Sequence, residues 1–298
     1  MEGFERPLDE ALNDIPSPIE AAARVFRQSL VGSLSVAAIP YTMVNQHVVG
    51  SHSQRILIAE RIRALKYDAT HNEEQRESLA RGVARTRFSE FVSSQEGKEK
   101  ITGEILKELR ELLEVSDMAA PFQELLLESI VMMWGTFETF ISDSTRSILN
   151  HSPSIASSLL QSDEVRRISS IKHIAIEDLA SRGFDMSRSM GDYVSSELRF
   201  DSFPVLKAVV GSLLPEASKL QELLRKPEFW MLWQRRNLIA HKRGVVDRAY
   251  LSKTRDVIAE GSRLIATGQY VEQVAIMLRD SVVAFIEAAR VPLARSSL

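Results

Sequence analysis

The stretch Phe229–Gly244, FWMLWQRRNLIAHKRG, holds the side chains best suited to chemistry in this chain. Arginine presents a permanently charged planar fork that matches the oxygens of a phosphate or carboxylate. Histidine gives or takes a proton near neutral pH. Asn237 and His241 are four residues apart, so on a helix they share a face. Arg236 and His241 are five apart, about 140° around a helix, and only a side chain as long as arginine converges on the imidazole from there. The set suits anion binding beside a proton-transferring group. Ordinary capping also explains part of it: Lys242, Arg243 and His241 sit where cations favour a helix C-terminus, and Gly244 suits a left-handed cap.

Five large apolar residues precede Gln234-Arg235-Arg236-Asn237, and Leu238-Ile239-Ala240 follow. Apolar positions therefore surround most of the helix, which predicts a central, buried element. Buried Arg and Asn are costly unless paired, so Arg235, Arg236 and Asn237 either meet acids or serve a site. The net charge is −3, too acidic for the whole chain to read as a polyanion binder. Its distribution is uneven. Arg225–Arg255 contains nine Lys/Arg and two acids, whereas Glu104–Asp143 contains nine acids and two Lys/Arg. The basic block either meets a polyanion or is neutralised by the acidic block across a helix pair.

The elements that must position these residues read as helices throughout, and the fold class is all-α. Residues 1–16, with Pro7 and Pro16, read as a flexible arm. Helices are expected over 17–38, 53–68, 72–92 and 98–115, a helical N-terminal region spanning 17–115. Pro40 is expected to stop the first of them. A break at Ser116–Pro121 separates it from a domain over 120–298. The strongest element runs from about Phe122 to Asn150, with Leu126, Ile130, Met133, Phe137, Ile141 and Ile148 on one stripe. Shorter helices are expected at 155–161, 163–181, 191–198, 204–213 and 215–225, then 228–243 and 272–290. Ile265–Tyr270 reads as a turn or strand pair.

Composition bounds the function. A 298-residue chain that is 44% hydrophobic can build one large or two modest cores. With 26% charged residues, 13 Gly and 10 Pro, it is neither collagen-like nor low-complexity. Cysteine is absent, which excludes disulfides, thiolate metal sites and a cysteine nucleophile. Leu30–Val44 is too short to span a membrane, and the acidic N-terminus is no signal or transit peptide. A cytoplasmic protein without membrane association is expected. Phosphate-binding loops, dinucleotide fingerprints and serine-nucleophile elbows are missing. His47, His52, His71, His151 and His173 lack acids at zinc-ligand spacing and read as ordinary histidines.

Arg236-Asn237-Leu238-Ile239-Ala240-His241 resembles the R-x4-H signature of the HEPN superfamily, helical proteins that include many metal-independent ribonucleases. HKRGVVDRAYL, residues 241–251, resembles that family's downstream run, and WGTFETFISDSTRSIL, residues 134–149, resembles the Glu-containing helix of its bacterial RiboL-PSP or MAE-type branch. The resemblance spans about 120–290 and leaves 1–115 uncovered.

It implies a HEPN-like bundle over 120–298 and an endoribonuclease needing no cofactor and no metal. The 2′-hydroxyl of RNA attacks the adjacent phosphate, leaving a 2′,3′-cyclic phosphate and a 5′-hydroxyl. Arg236, Asn237 and His241 would be catalytic. Arg235, Lys242, Arg243 and Arg248 would contact substrate, and Glu138, Asp247 and Tyr250 would support the site. Glu138 either orients Arg235 or Arg236 or is a plain solvated acid; Asp247 and Tyr250 read as holding the following loop. Trp230 and Trp233 either stack bases or pack in the core. One Arg and one His per chain imply a homodimer with a shared cleft. A toxin or antiphage effector role, with an antitoxin or other regulatory partner, fits the family's habits. The alternative is a non-catalytic HEPN-like module that binds RNA, a nucleotide or a partner protein.

Overall fold

The computed structural model describes residues 2–67, 71–114, 117–168, 171 and 174–295. Asp68, Val115, Ser116 and His173, which figured in the expected helix ends, break and histidines, lie outside the described residues. The chain is all-α: 81% helical, with 15 helices and no strand among the described residues. By its contacts it divides into two units, one built from Met1–Val36 with Leu126–Leu298 and the other from Ala37–Leu125.

The N-terminus departs from the expected flexible arm. It forms α1 (Glu2–Leu12), followed by α2 (Ser17–Ala37). Leu8, Ala11 and Leu12 recur at helical spacing and are buried, and α1 packs on the C-terminal helix. Arg27 clamps α1 through Glu5 at 2.7 Å and Asp9 at 2.5 Å. Pro7 removes one backbone donor, a loss that burial of this stripe outweighs.

The second unit holds α3 (Ile39–Tyr67), α4 (Glu73–Ser93) and α5 (Gln95–Glu114), each packed on the other two. Helix α3 starts 14 residues before the expected Ser53, because Pro40 opens it instead of ending its predecessor. A proline in the first turn forfeits no helical bond. Asn72 and Gln75 form a reciprocal capping box at the start of α4. Val44, Val48 and Ile105 make the small core. His52 bonds Glu104 at 2.8 Å and lies against Phe91.

The remaining helices are α6 (Ala119–His151), α7 (Ser154–Gln161), α8 (Asp163–Ile168), α9 (Ile176–Ser181), α10 (Met190–Glu197), α11 (Phe203–Leu213), α12 (Ser218–Arg225), α13 (Pro227–Lys242), α14 (Arg248–Thr254) and α15 (Gly268–Arg295). The segment expected as one helix over 163–181 is two, α8 and α9, and α14 was not expected. Residues 17–36 pack with these helices rather than with 37–115: Phe26 meets Phe140 at 5.6 Å, and Phe140 meets Phe285 edge-on at 5.2 Å. Among the described residues α6 alone is long and apolar enough to cross a membrane by length and composition, and half of its most apolar window is buried within the protein. It buries Met133, Trp134, Phe137, Phe140 and Ile141 completely or nearly so. Trp134 meets Phe203 of α11 at 5.8 Å and Phe229 of α13 at 6.4 Å, which ties both helices to α6.

Helix α10 approaches α6 at Gly191, whose amide donates to Asn150 Oδ1 at 2.7 Å. A Cβ there would lie 1.9 Å from the Arg146 carbonyl oxygen, which only backbone movement relieves. Gly191→Ala is therefore expected to destabilise the protein by about 1–3 kcal/mol, the usual cost of overpacking. Gly211, inside α11 with nothing within 4 Å of its added Cβ, supplies the opposite case. Gly211→Ala is expected to stabilise by about 0.5–1 kcal/mol. Thermal melts of the two variants against the parent check both signs.

Candidate functional site

Helix α13 begins with Pro227 in its first turn and ends at a double left-handed turn, Arg243 at φ 53° and Gly244 at φ 74°. The expected glycine cap is thus shared with an arginine in a conformation that side chains resist. The Gly244 amide closes on the Leu238 carbonyl at 3.1 Å. The chain then pairs briefly with itself, Val245 opposite Arg263, with Leu264 donating to Gly244 O at 2.9 Å and Val246 to Ser262 O at 2.8 Å. The turn or strand pair expected over 265–270 does not form there: the bridge lies earlier, at Arg263, and Gly268–Tyr270 open α15. The bridge brings the segment after α14 back against α13.

The helix is not buried all round. Phe229, Leu232, Gln234, Leu238 and Ile239 face the core, while Trp230, Ala240, His241 and Lys242 are exposed. Apolar residues encircle the helix, but one stripe of its surface is exposed.

Arg235 and Arg236 point to different partners. Arg236 Nη2 meets Glu138 Oε2 at 3.1 Å, with the two side chains only 18% and 13% exposed. Its Nη1 donates to Asn237 Oδ1 at 2.9 Å, and its buried Nε has no hydrogen-bond partner among the described residues. Trp134 Nε1 donates to the other Glu138 oxygen at 2.6 Å. Burial pushes the Glu138 carboxyl above its ordinary value, and Asp201 adds to the rise; the Trp134 hydrogen bond and the Arg236 charge pull it back. Of the two arginines weighed as partners for Glu138, Arg236 is the one it meets. The pair also joins the acidic and basic blocks of the sequence.

Arg235 turns to Asp256, Nη2 to Oδ2 at 3.1 Å, and lies over the Tyr270 ring at 5.0 Å. Tyr250 donates its hydroxyl to the same Asp256 oxygen at 2.7 Å. Burial, together with this bond, pushes the Tyr250 hydroxyl up to about 12. Burial would raise Asp256, but the Tyr250 and Arg235 contacts prevail and hold its carboxyl below the ordinary value. Asp247 caps α14 by accepting from the Tyr250 amide at 2.7 Å. Asp256 and Tyr270 were not singled out in the sequence. They lie 21 and 35 residues beyond Arg235, and no helical spacing links them to it.

Asn237 and His241 remain on the open stripe. Because Asn237 Oδ1 accepts from Arg236, its amide N–H groups face away from that bond. His241 is exposed and has no hydrogen-bond partner among the described residues. Lys242 and Arg243 are exposed beside it, while Arg248 is loosely paired with Glu260 at 3.7 Å. Trp233 is half-buried and donates to the Asp201 carbonyl; Trp230 stands 36% exposed against it. Among the described residues no three His, Asp or Glu side chains gather as a metal site would require. No family model, curated protein or solved structure matches the chain.

Two variants test this geometry. Glu138→Gln keeps an acceptor for Trp134 but leaves Arg236 charged and mostly buried. It is expected to cost on the order of 2–3 kcal/mol in urea unfolding. Asp256 contributes in the opposite way from a raised acid. Its depressed pKa means a stabilisation fully present above the ordinary value of 3.8 and lost as the pH falls through the folded value. Stability of the parent should therefore fall more steeply than that of Asp256→Asn below about pH 4, as read from urea midpoints across an acid series. Parallel curves would disprove the assignment.

Proposed function

We propose that the chain is a metal-independent endoribonuclease of the HEPN type, with its site on α13. The observation that supports this reading best is the meeting of the two segments that resemble the family. Glu138 on α6 and Arg236 on α13 form one partly buried ion pair. Half-buried Asn237 and exposed His241 share a face of the same helix, one turn apart. In this reading 120–298 is a HEPN-like domain, and α3, α4 and α5 supply a separate unit for a regulatory partner such as an antitoxin.

The chemistry needs three services. A 2′-hydroxyl must lose its proton as its oxygen bonds to phosphorus. The P–O5′ bond must break, with a proton reaching the departing 5′ oxygen. The extra negative charge of the phosphorane must be stabilised. His241 serves as the proton donor or acceptor. The free Asn237 N–H groups and the Arg236 guanidinium face the phosphate oxygens, and Lys242, Arg243 and Arg248 meet the RNA backbone. A second copy supplies the second histidine through an isologous pairing along α13, where exposed Ala240 permits close approach. Tyr250, Asp247 and Arg235 hold the segment after the helix and leave the chemistry to their neighbours.

A specific observation favours a second reading, a HEPN-like module that binds RNA or a partner without cutting. Both terminal nitrogens of Arg236 are already engaged, one with Glu138 and one with Asn237. A phosphate must therefore compete for this fork or share it.

End-labelled RNA incubated with the protein in EDTA separates the two readings. Cleavage leaving cyclic phosphate ends is expected from the parent. His241→Ala and Arg236→Ala are each expected to slow it by ~10²-fold or more. Equal rates in the parent and either variant would remove the assignment. RNA retained intact by both parent and variants would support the binding module instead.

A further inference from the structure

Alongside α8, α11 and α13 lies an open groove of about 360 Å³, lined in part by Arg167, Pro204, Lys207, Trp230 and Glu164. Its cations outnumber its acid two to one. Arg167 is oriented by its Nε, which donates to the Asp163 carbonyl at 3.0 Å, and its outer nitrogens have no partner among the described residues. Lys207 is exposed and has no partner among the described residues. Trp230, 36% exposed, lines the same groove.

The indole is held from behind. Trp233 lies 5.0 Å from it, donates to the Asp201 carbonyl and packs on Phe203 at 6.3 Å. Phe203 in turn stacks on Phe229, with ring planes 8° apart. A chain of rings thus runs from the core to the surface and ends in one ring with a wet face. Isolated exposed apolar residues are common and mean little. A braced indole that shares a concave surface with two cations is a more specific arrangement. It matches a planar aromatic group that carries anions nearby.

The position of Trp230 links this groove to the site. Trp230 and His241 are 11 residues apart, three helical turns plus about 20°, or roughly 16 Å along the axis. They lie on the same face of α13, with Asn237 between them. We propose that the groove is a base-stacking subsite for single-stranded RNA. Trp230 stacks on one base while Lys207 and Arg167 hold the phosphates beside it, so that the strand runs along α13 toward Asn237 and His241. The subsite rests on the ribonuclease reading for its substrate. Stacking accepts any base, because each has a π-face, but the face must be free of a duplex neighbour. The subsite therefore selects for strandedness rather than sequence.

The test is fluorescence anisotropy with a labelled single-stranded 2′-O-methyl RNA, which binds but cannot be cut. The probe is titrated over a salt series against the full-length parent, Trp230→Ala and Lys207→Glu. Trp230→Ala is expected to weaken binding by about fivefold or more with an unchanged salt slope. Lys207→Glu is expected to weaken it with a slope shallower by about 0.7 or more. A duplex of the same sequence should lose nothing in Trp230→Ala. Binding by both variants equal to the parent, or no binding by the parent, overturns the subsite. Cleavage of natural RNA by Trp230→Ala at the parental rate under sub-saturating RNA also overturns it, while the ribonuclease reading stands. Trp230-dependent binding without cleavage in any protein upholds the subsite and overturns the ribonuclease reading.

Discussion

The ion pair between Glu138 and Arg236 is the constraint from which the rest of the site follows. Neither charge is free to face bulk water, so each must be answered inside the protein. Trp134 completes the answer by donating to the second carboxylate oxygen, and Asn237 takes one of the remaining guanidinium donors. Breaking any member leaves a polar group partly buried and unmet. The pair therefore sets the register of α6 against α13, and the ring contacts of Trp134 with Phe203 and Phe229 fill the space around it.

Successive residues on a helix diverge by about 100°, so two adjacent arginines cannot share one acid at the same depth. Once Arg236 faces α6, Arg235 must find its counter-charge elsewhere. It does so in Asp256, delivered by the turn after α14 and by the short pairing of Val245 with Arg263. The strained turn at Arg243 and Gly244 is part of the same construction, since it sends the chain back toward Arg235. What remains on the open side of α13 is His241, Lys242 and the outward donors of Asn237, without a polar partner among the described residues, and the indole of Trp230, braced only by Trp233 among the rings. Residues that hold the fold and residues that face solvent are separated by less than one helical turn.

The second unit follows different physics. Its apolar core is small, and polar contacts carry much of its order: Glu60 is buried between Arg63 and Arg87, and His52 bonds Glu104. Ile56, Ile58, Ile62 and Leu65 read in the sequence as lying mostly on one helical face; Ile56 is half-buried, but the other three are at least half exposed. Periodicity marks which residues share a face; it does not say that a face is covered.

Much of this molecule was legible in the sequence. The 3.6-residue apolar period named the helices, and most of their ends fell within a few residues of capping and proline signals. The spacing of Asn237 and His241 placed them on one face, because helical geometry is local. The sequence left Glu138 as either a solvated acid or the partner of Arg235 or Arg236, and only the fold joined it to Arg236. Other features needed the tertiary structure. Pro40 opens a helix where its local signal read as a stop, and the N-terminal arm becomes α1 because distant α15 offers it a surface. The pairing of Arg235 with Asp256 and Tyr270, and the groove that Trp230 shares with Lys207 and Arg167, join residues with no shared period. Such contacts depend on where the chain returns, and no local propensity encodes that path.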